Sequence, residues 1–252
     1  MQKDINCLKI SLNEDRATES TDKVVKEKAF SIFINGRNYT TAMISPHLEE
    51  EFVLGHLFSE GIIKELDEVE SIQIKGNTAK VLTKNPLNVL IAKKTIVSGC
   101  GGGSSFLDES KLPKIDSKLK ISKECIFNAI KSVLTSELHK TTHGIHSCGL
   151  FNSESIICKA DDIGRHNAFD KVIGSALTRG YSFSDKFVVT TGRIPSEMVL
   201  KCVQVNIPII ASMGATTSLA IDIADKTGLT IVGFVRGRKM SVYSGGQKRL
   251  VL

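Results

Sequence analysis

The chain has no tryptophan, and its aromatic residues together make up only 6% of the sequence. Platforms that stack nucleic-acid bases need aromatic faces, and no long run of Lys or Arg compensates for their scarcity here. Nucleic-acid binding is therefore not expected, although the net charge of +6 favours an acidic or phosphorylated partner. No run of about 18 apolar residues exists, which excludes a helical membrane span. The polar start Met1-Gln2-Lys3-Asp4 lacks the apolar stretch of a signal peptide, so a cytoplasmic location is expected. Six cysteines (Cys7, Cys100, Cys125, Cys148, Cys158, Cys202) follow no pairing rhythm, which suits reduced thiols rather than a disulfide framework. No internal repeat and no low-complexity segment is found. At 252 residues and 41% hydrophobic, the chain can still bury a full core, as one large domain or as a main domain with a smaller appendage.

The first hundred residues read as strands with one helix. Ala29 to Ile34 and Tyr39 to Ile44 flank Asn35-Gly36, which supplies the positive φ angles of a tight hairpin turn. Val69 to Ile74 and Ala79 to Leu82 flank Gly76-Asn77 in the same way. Between them a helix is expected, with Ser45 as N-cap, Pro46 at the first helical position, and Glu49, Glu50 and Glu51 at the positive end of the dipole. Leu48, Phe52, Leu54, Leu57 and Phe58 form its packing stripe and Gly61 ends it.

Three parts follow from the pattern: a strand-rich N-terminal part over 1–103, a polar, lysine-bearing flexible connector over 104–122, and an alternating α/β core over 123–252. In the core, strands at Ser155 to Ala160, Phe187 to Thr191, Pro208 to Ser212 and Leu229 to Val235 alternate with helices at Arg165 to Thr178, Pro195 to Val205 and Thr216 to Lys226. Such alternation predicts an α/β fold with a mixed, largely parallel sheet flanked by helices. Function in such sheets gathers in the loops at the carboxyl ends of the strands.

Chemistry concentrates at four places. Cys100 lies in Val97-Ser98-Gly99-Cys100-Gly101-Gly102-Gly103, among residues with almost no side chain, so a large partner can approach its sulfur and backbone amides can favour the thiolate. The alternative there is a glycine-rich turn with an incidental cysteine. Asp161-Asp162-Ile163-Gly164-Arg165-His166-Asn167 follows a strand and opens a helix. It reads either as an anion-binding corner with Asp162 as cap, or as a cap plus a His166–Asp170 pair on a solvated face. Thr190-Thr191-Gly192-Arg193-Ile194-Pro195 repeats the arrangement at the next strand end. Phe234-Val235-Arg236-Gly237-Arg238-Lys239 sets three cations around a glycine, which suits a phosphate, or else a solvated basic turn.

Other motifs are incomplete. His47-Leu48-Glu49 has no Pro-Cys-x-x-Cys to complete a zinc site, and the His143, His146 and Cys148 group lacks a fourth ligand, so no metal is expected. No Gly-Lys-Ser/Thr follows the glycines at Cys100, which excludes a P-loop. Cys158 and Cys202 sit in apolar patterns and read as core thiols.

Taken together, Leu54-Gly55-His56-Leu57-Phe58-Ser59-Glu60-Gly61-Ile62-Ile63, Ser98-Gly99-Cys100-Gly101-Gly102-Gly103, Asp161-Asp162-Ile163-Gly164-Arg165-His166-Asn167-Ala168 and the run from Arg193 to Arg238 resemble the formate dehydrogenase accessory sulfurtransferase (FdhD) family. The match covers most of the chain, with the motifs in the family's order. The resemblance implies a cytidine-deaminase-like core and a homodimer. It implies a sulfurtransferase whose Cys100 accepts sulfur from a cysteine desulfurase as a persulfide. The sulfur then passes to molybdenum bis-molybdopterin guanine dinucleotide, bound as cargo before insertion into formate dehydrogenase. The family's cofactor-binding segment falls on Phe234, Val235, Arg236, Gly237, Arg238 and Lys239. Many members carry Cys-x-x-Cys at the loop, whereas Gly103 stands at the second position here, so no resolving disulfide can form within it. Two other classes stay open: a cofactor-binding chaperone whose cysteine only touches its cargo, and a thiol hydrolase pairing Cys100 with His146 or His166.

Overall fold

The computed structural model describes residues 1–13, 16–85 and 112–251. Cys100 and Gly103, with the rest of 86–111, lie outside the described residues. Strands β1 (Gln2–Ile10) and β2 (Ala17–Val25) form an antiparallel hairpin of their own. β3 (Lys28–Ile34), β4 (Arg37–Ile44), β5 (Val69–Lys75) and β6 (Thr78–Thr83) form a four-stranded sheet in the order β4-β3-β6-β5. Both expected hairpins are present: Asn35 and Gly36 take φ of 50° and 81°, and Gly76 takes 58°. The parallel pairing of β3 with β6 joins the two hairpins.

Helix α1 (Glu49–Ser59) covers this sheet, and Phe52, Val53 and Leu57 close a core with Phe30, Ile32, Ile34 and Val81. Its start differs from the expected one. Leu48 in the left-handed region precedes the first turn, with no side-chain cap. Ser45 is fully buried and occupied elsewhere: its amide donates to Asp162 Oδ2 at 3.0 Å, its hydroxyl accepts from Ile163 N–H at 3.2 Å, and its carbonyl accepts from Lys171 Nζ at 2.9 Å. Partners more than a hundred residues away in sequence outcompete the local cap. The three glutamates do occupy the first turn, where the dipole favours them.

The larger sheet has six strands in the order β13-β12-β11-β10-β8-β9, comprising β8 (His146–Phe151), β9 (Ile156–Asp162), β10 (Phe187–Thr190), β11 (Ile209–Ser212), β12 (Thr230–Arg236) and β13 (Lys239–Val242). It is mixed, as the alternation predicts. The parallel pairings are the central β10–β11 and β11–β12, with antiparallel strands on either side. β8 lies in the stretch that reads as a partial metal motif. A Cβ at its Gly149 would come within 2.7 Å of the Phe151 ring and 3.0 Å of Val133, so the missing side chain admits the helix on that face.

Side chains alternate between the two faces of this sheet. Val188, Ile210 and Ile231 pack under α4 (Arg165–Leu177), α5 (Ser196–Gln204) and α6 (Ser218–Thr227). Phe187, Val189, Ile209, Ala211 and Val232 face α2 (Lys123–Leu134). Short α3 (Glu137–Thr142) follows α2, and the strands β7 (Ile121–Ser122) and β14 (Leu250–Val251) pair alongside. Residues 112–120 run extended against the core, where Ile115 N–H donates to Thr227 O at 2.8 Å and Asn206 Oδ1 accepts from Asp116 N–H at 3.0 Å. Among the described residues no helix is long and apolar enough to cross a membrane.

Helix α1 and helix α4 cross at backbone contact. A Cβ at Gly55 would lie 1.8 Å from Asp170 O, and one at Gly174 would lie 1.9 Å from Glu51 O. Glycine at both positions lets the buried polar groups of the two helices reach one another.

Candidate functional site

The chain direction of β9, β10, β11 and β12 brings their carboxyl ends to one edge of the sheet. That edge collects the loops singled out in the sequence, apart from the Cys100 loop, which lies outside the described residues. A cluster of buried charges lies behind it and braces the helices.

Asp162 ends β9 fully buried. Its Oδ1 accepts from Gly164 N–H and from Asn167 Nδ2, each at 2.9 Å, while its Oδ2 meets Lys171 Nζ at 2.5 Å. Asp162 is thus a hub rather than the helix cap, and the N-cap of α4 is Gly164, which has no capping side chain. Asn167 also donates to Met43 O at 2.7 Å, fastening α4 to the end of β4. Burial lowers the proton affinity of Lys171, and the Asp162 carboxylate opposes that effect.

The alternative reading, a His166–Asp170 pair on a solvated face, is not what forms. Asp170 is 1% exposed and accepts from Ser59 Oγ at 2.7 Å, from Lys201 Nζ at 2.9 Å, and meets His56 Nδ1 at 2.9 Å. Lys201 also pairs with Glu60 at 2.8 Å. Burial pushes the Asp170 carboxyl up, but Lys201 and His56 outweigh it and hold the group at about 2. Burial likewise disfavours charge on Lys201, yet Asp170 and Glu60 lift its proton affinity above the ordinary lysine value. This network escaped the reading of the residues. Its available signal was His56 and Ser59 among the apolar residues of α1, with Glu60 directly after it, and Lys171 and Lys201 among apolar residues of α4 and α5.

At the edge itself, Gly192 sits against α4. A Cβ there would lie 3.0 Å from Arg165 Cβ and 3.2 Å from His146 Nδ1. Gly214, after β11, would place a Cβ 3.1 Å from Arg193 N and 3.2 Å from Gly192 C. The Gly214 carbonyl in turn accepts from Phe234 N–H at 3.1 Å. Arg165, Gly192, Arg193, Gly214 and Phe234 therefore form one continuous rim. Burial, then the neighbouring Arg193, lowers the proton affinity of Arg165. Burial, then Arg165, lowers His166 to about 4 and lowers His146 too, so both imidazoles are neutral at neutral pH.

The basic turn lies at the far end of this rim. Gly237 and Arg238 take φ of 55° and 63° between β12 and β13, and Phe234 takes 52°, an uncommon conformation for a bulky residue. The register slips between Gly233 and Arg236, so a bulge re-aims the strand end, and the Arg236 guanidinium lies 5.5 Å from the Phe234 ring centre. Arg236, Gly237, Arg238 and Lys239 are exposed and Phe234 is half-buried, whereas Val235 is fully buried in the core. The segment offers an aromatic ring and three cations to a ligand, with Val235 as its anchor.

The His143–Cys148 stretch does not gather. His143 is an exposed left-handed C-cap of α3, His146 begins β8, and Cys148 is fully buried with its thiol pushed up by burial. Among the described residues no three His, Cys, Asp or Glu side chains are grouped as a metal requires. Cys158 and Cys202 are core thiols as expected, and burial pushes Cys158 up to about 11.

Residues 25–251 match the sequence model of the FdhD/NarQ family. A protein of Wolinella succinogenes named sulfur carrier protein FdhD is 35% identical over 90% of this chain and 82% of its own. A protein of the same name from Bacillus pumilus is 34% identical over 93% of both chains. The crystal structure of a Desulfotalea psychrophila protein described as a formate dehydrogenase accessory protein superposes with a TM-score of 0.82, at 29% identity over 99% of both chains.

Proposed function

The chain belongs to the FdhD/NarQ family, and on that premise we propose that it is a sulfur carrier serving a formate dehydrogenase. The Cys100 thiolate attacks the terminal sulfur of a persulfide on a cysteine desulfurase. The desulfurase thiolate leaves, and a persulfide remains on Cys100, with no net oxidation or reduction. The carrier then hands that sulfur to molybdenum bis-molybdopterin guanine dinucleotide. The Cys100 thiolate departs, and the two electrons that turn sulfane sulfur into sulfide come from the reduced metal of the cargo. The loaded cofactor passes to formate dehydrogenase. The carrier acts in the cytoplasm as a homodimer.

The observation that carries this reading is the turn at Phe234–Lys239, where three exposed cations and a half-buried ring with left-handed backbone sit at the ligand edge of an α/β sheet. A polyanionic dinucleotide matches that chemistry, and guanidinium forks suit its phosphates. The names of the relatives add sulfur carriage. Cys100 acts without a resolving thiol in its loop, since Gly103 takes that place.

Intact-protein mass after incubation with a cysteine desulfurase and cysteine tests the reading. The native chain should gain one reductant-labile sulfur atom and Cys100→Ala should gain none. An absent gain, or an equal gain in the variant, would replace the carrier with a cofactor-binding chaperone.

A further inference from the structure

The Arg165 corner and the Gly192–Arg193 loop lie apart in sequence, and the turn at Phe234–Lys239 does not account for either. The structure makes them one place. Arg165 Nε and His166 Nε2 are two of three buried side-chain nitrogen or oxygen atoms that lack a hydrogen-bond partner among the described residues. Such atoms are costly to leave unpaired, and here two of them come from adjacent residues at a strand end. Arg193 is exposed and shares the corner with Arg165: Gly192, its neighbour in the chain, packs against the Arg165 side chain, and Gly214 packs against the Arg193 backbone. Helices α4 and α5 open at this edge with no side-chain cap on Gly164 or Pro195, whereas Thr217 caps α6. Their first amides and dipoles add to the positive field. Glycines at 192 and 214 keep the floor free of side chains.

We propose that Arg165, His166 and Arg193, floored by Gly192 and Gly214, form a seat for a phosphoryl group. Two arginine forks and uncapped helix ends match the several oxygens of a phosphate, and neutral His166 can donate through Nε2. Glu197 is the opposing carboxylate, because its charge acts on both Arg165 and His166. The seat is continuous through Gly214 with Phe234. A dinucleotide can thus place one phosphate here and another against Arg236 and Arg238. The identity of the phosphorylated ligand rests on the proposed function; the seat does not.

Isothermal titration of the full chain with inorganic pyrophosphate at fixed ionic strength, with sulfate as comparison, tests this. Arg193→Ala and Arg165→Met should each weaken pyrophosphate binding about tenfold or more, and Glu197→Gln should tighten it. Arg193 is exposed, so its variant carries the test even if Arg165→Met fails to fold. No pyrophosphate binding, unchanged affinity in Arg193→Ala, or loss confined to Arg238→Ala would overturn the seat. If Cys100 fails to take up sulfur while pyrophosphate still binds, the carrier reading falls and the seat stands.

Discussion

Two groups of charges meet at helix α4 and obey opposite rules. Behind it, Asp162, Asp170, Lys171 and Lys201 are all buried, and each is paired with an opposite charge and further hydrogen bonds. In front of it, Arg165, Arg193, Arg236, Arg238 and Lys239 crowd one rim with Glu197 as the carboxylate acting on Arg165. Burial explains the difference. A charge out of water must find a partner within the fold, whereas the exposed Arg193, Arg236, Arg238 and Lys239 keep their hydration, and Arg165 stands between the two with its Nε buried and unpaired among the described residues. The paired group therefore ties α1, α4 and α5 together, and the unbalanced group leaves an excess of positive charge at the rim.

Breaking the paired group should have the largest effect. Lys201→Met leaves the Asp170 carboxylate buried beside Glu60, and should cost about 3–5 kcal/mol in urea-induced unfolding. A loss under 1 kcal/mol would show that the network is no brace.

A smaller effect separates the two groups by pH. His166 is held at about 4 in the folded chain, below its unfolded value of about 6.5. The unfolded chain therefore binds more protons, and this contribution is full above about pH 6.5 and lost as the pH falls towards 4. Asp170, at about 2, loses its contribution only below about pH 4. Urea unfolding should show stability falling by on the order of 2 kcal/mol from pH 7 to 4.5, a fall that shrinks in His166→Asn. An unchanged fall in that variant would place the titration elsewhere.

The smallest effect belongs to the rim. Arg238→Ala, at an exposed turn position, should alter stability by about 0.5 kcal/mol or less, measured by the same unfolding curves. A larger loss would make the basic turn a structural element and weaken its reading as a ligand site.

How legible these features were depended on the range of the forces behind them. The hairpin at Asn35-Gly36 was readable because positive φ is a local property of those residues. The helix–strand alternation from Ile156 to Arg236 was readable because short continuous apolar runs such as Phe187-Val188-Val189 mark strands buried on both faces, between stretches of helical spacing. The start of α1 was not, since Ser45 gives its hydrogen-bonding capacity to Asp162, Ile163 and Lys171 rather than to the next turn. β8 was obscured by the His and Cys residues that drew attention as ligands. The candidate ligand loops were legible as motifs, but their union was not. The glycines at 192 and 214 show what they admit only once the strand ends stand side by side.

By itself the sequence determined the strand-rich first part, the α/β alternation and the family, because each is written in local pattern or in ordered motifs. Only the tertiary structure decided which charges are paired in the core and which stand at the rim. Lys171, Lys201 and Arg193 carry the same unit charge in the chain, and the fold buries the two lysines against carboxylates while it leaves Arg193 exposed.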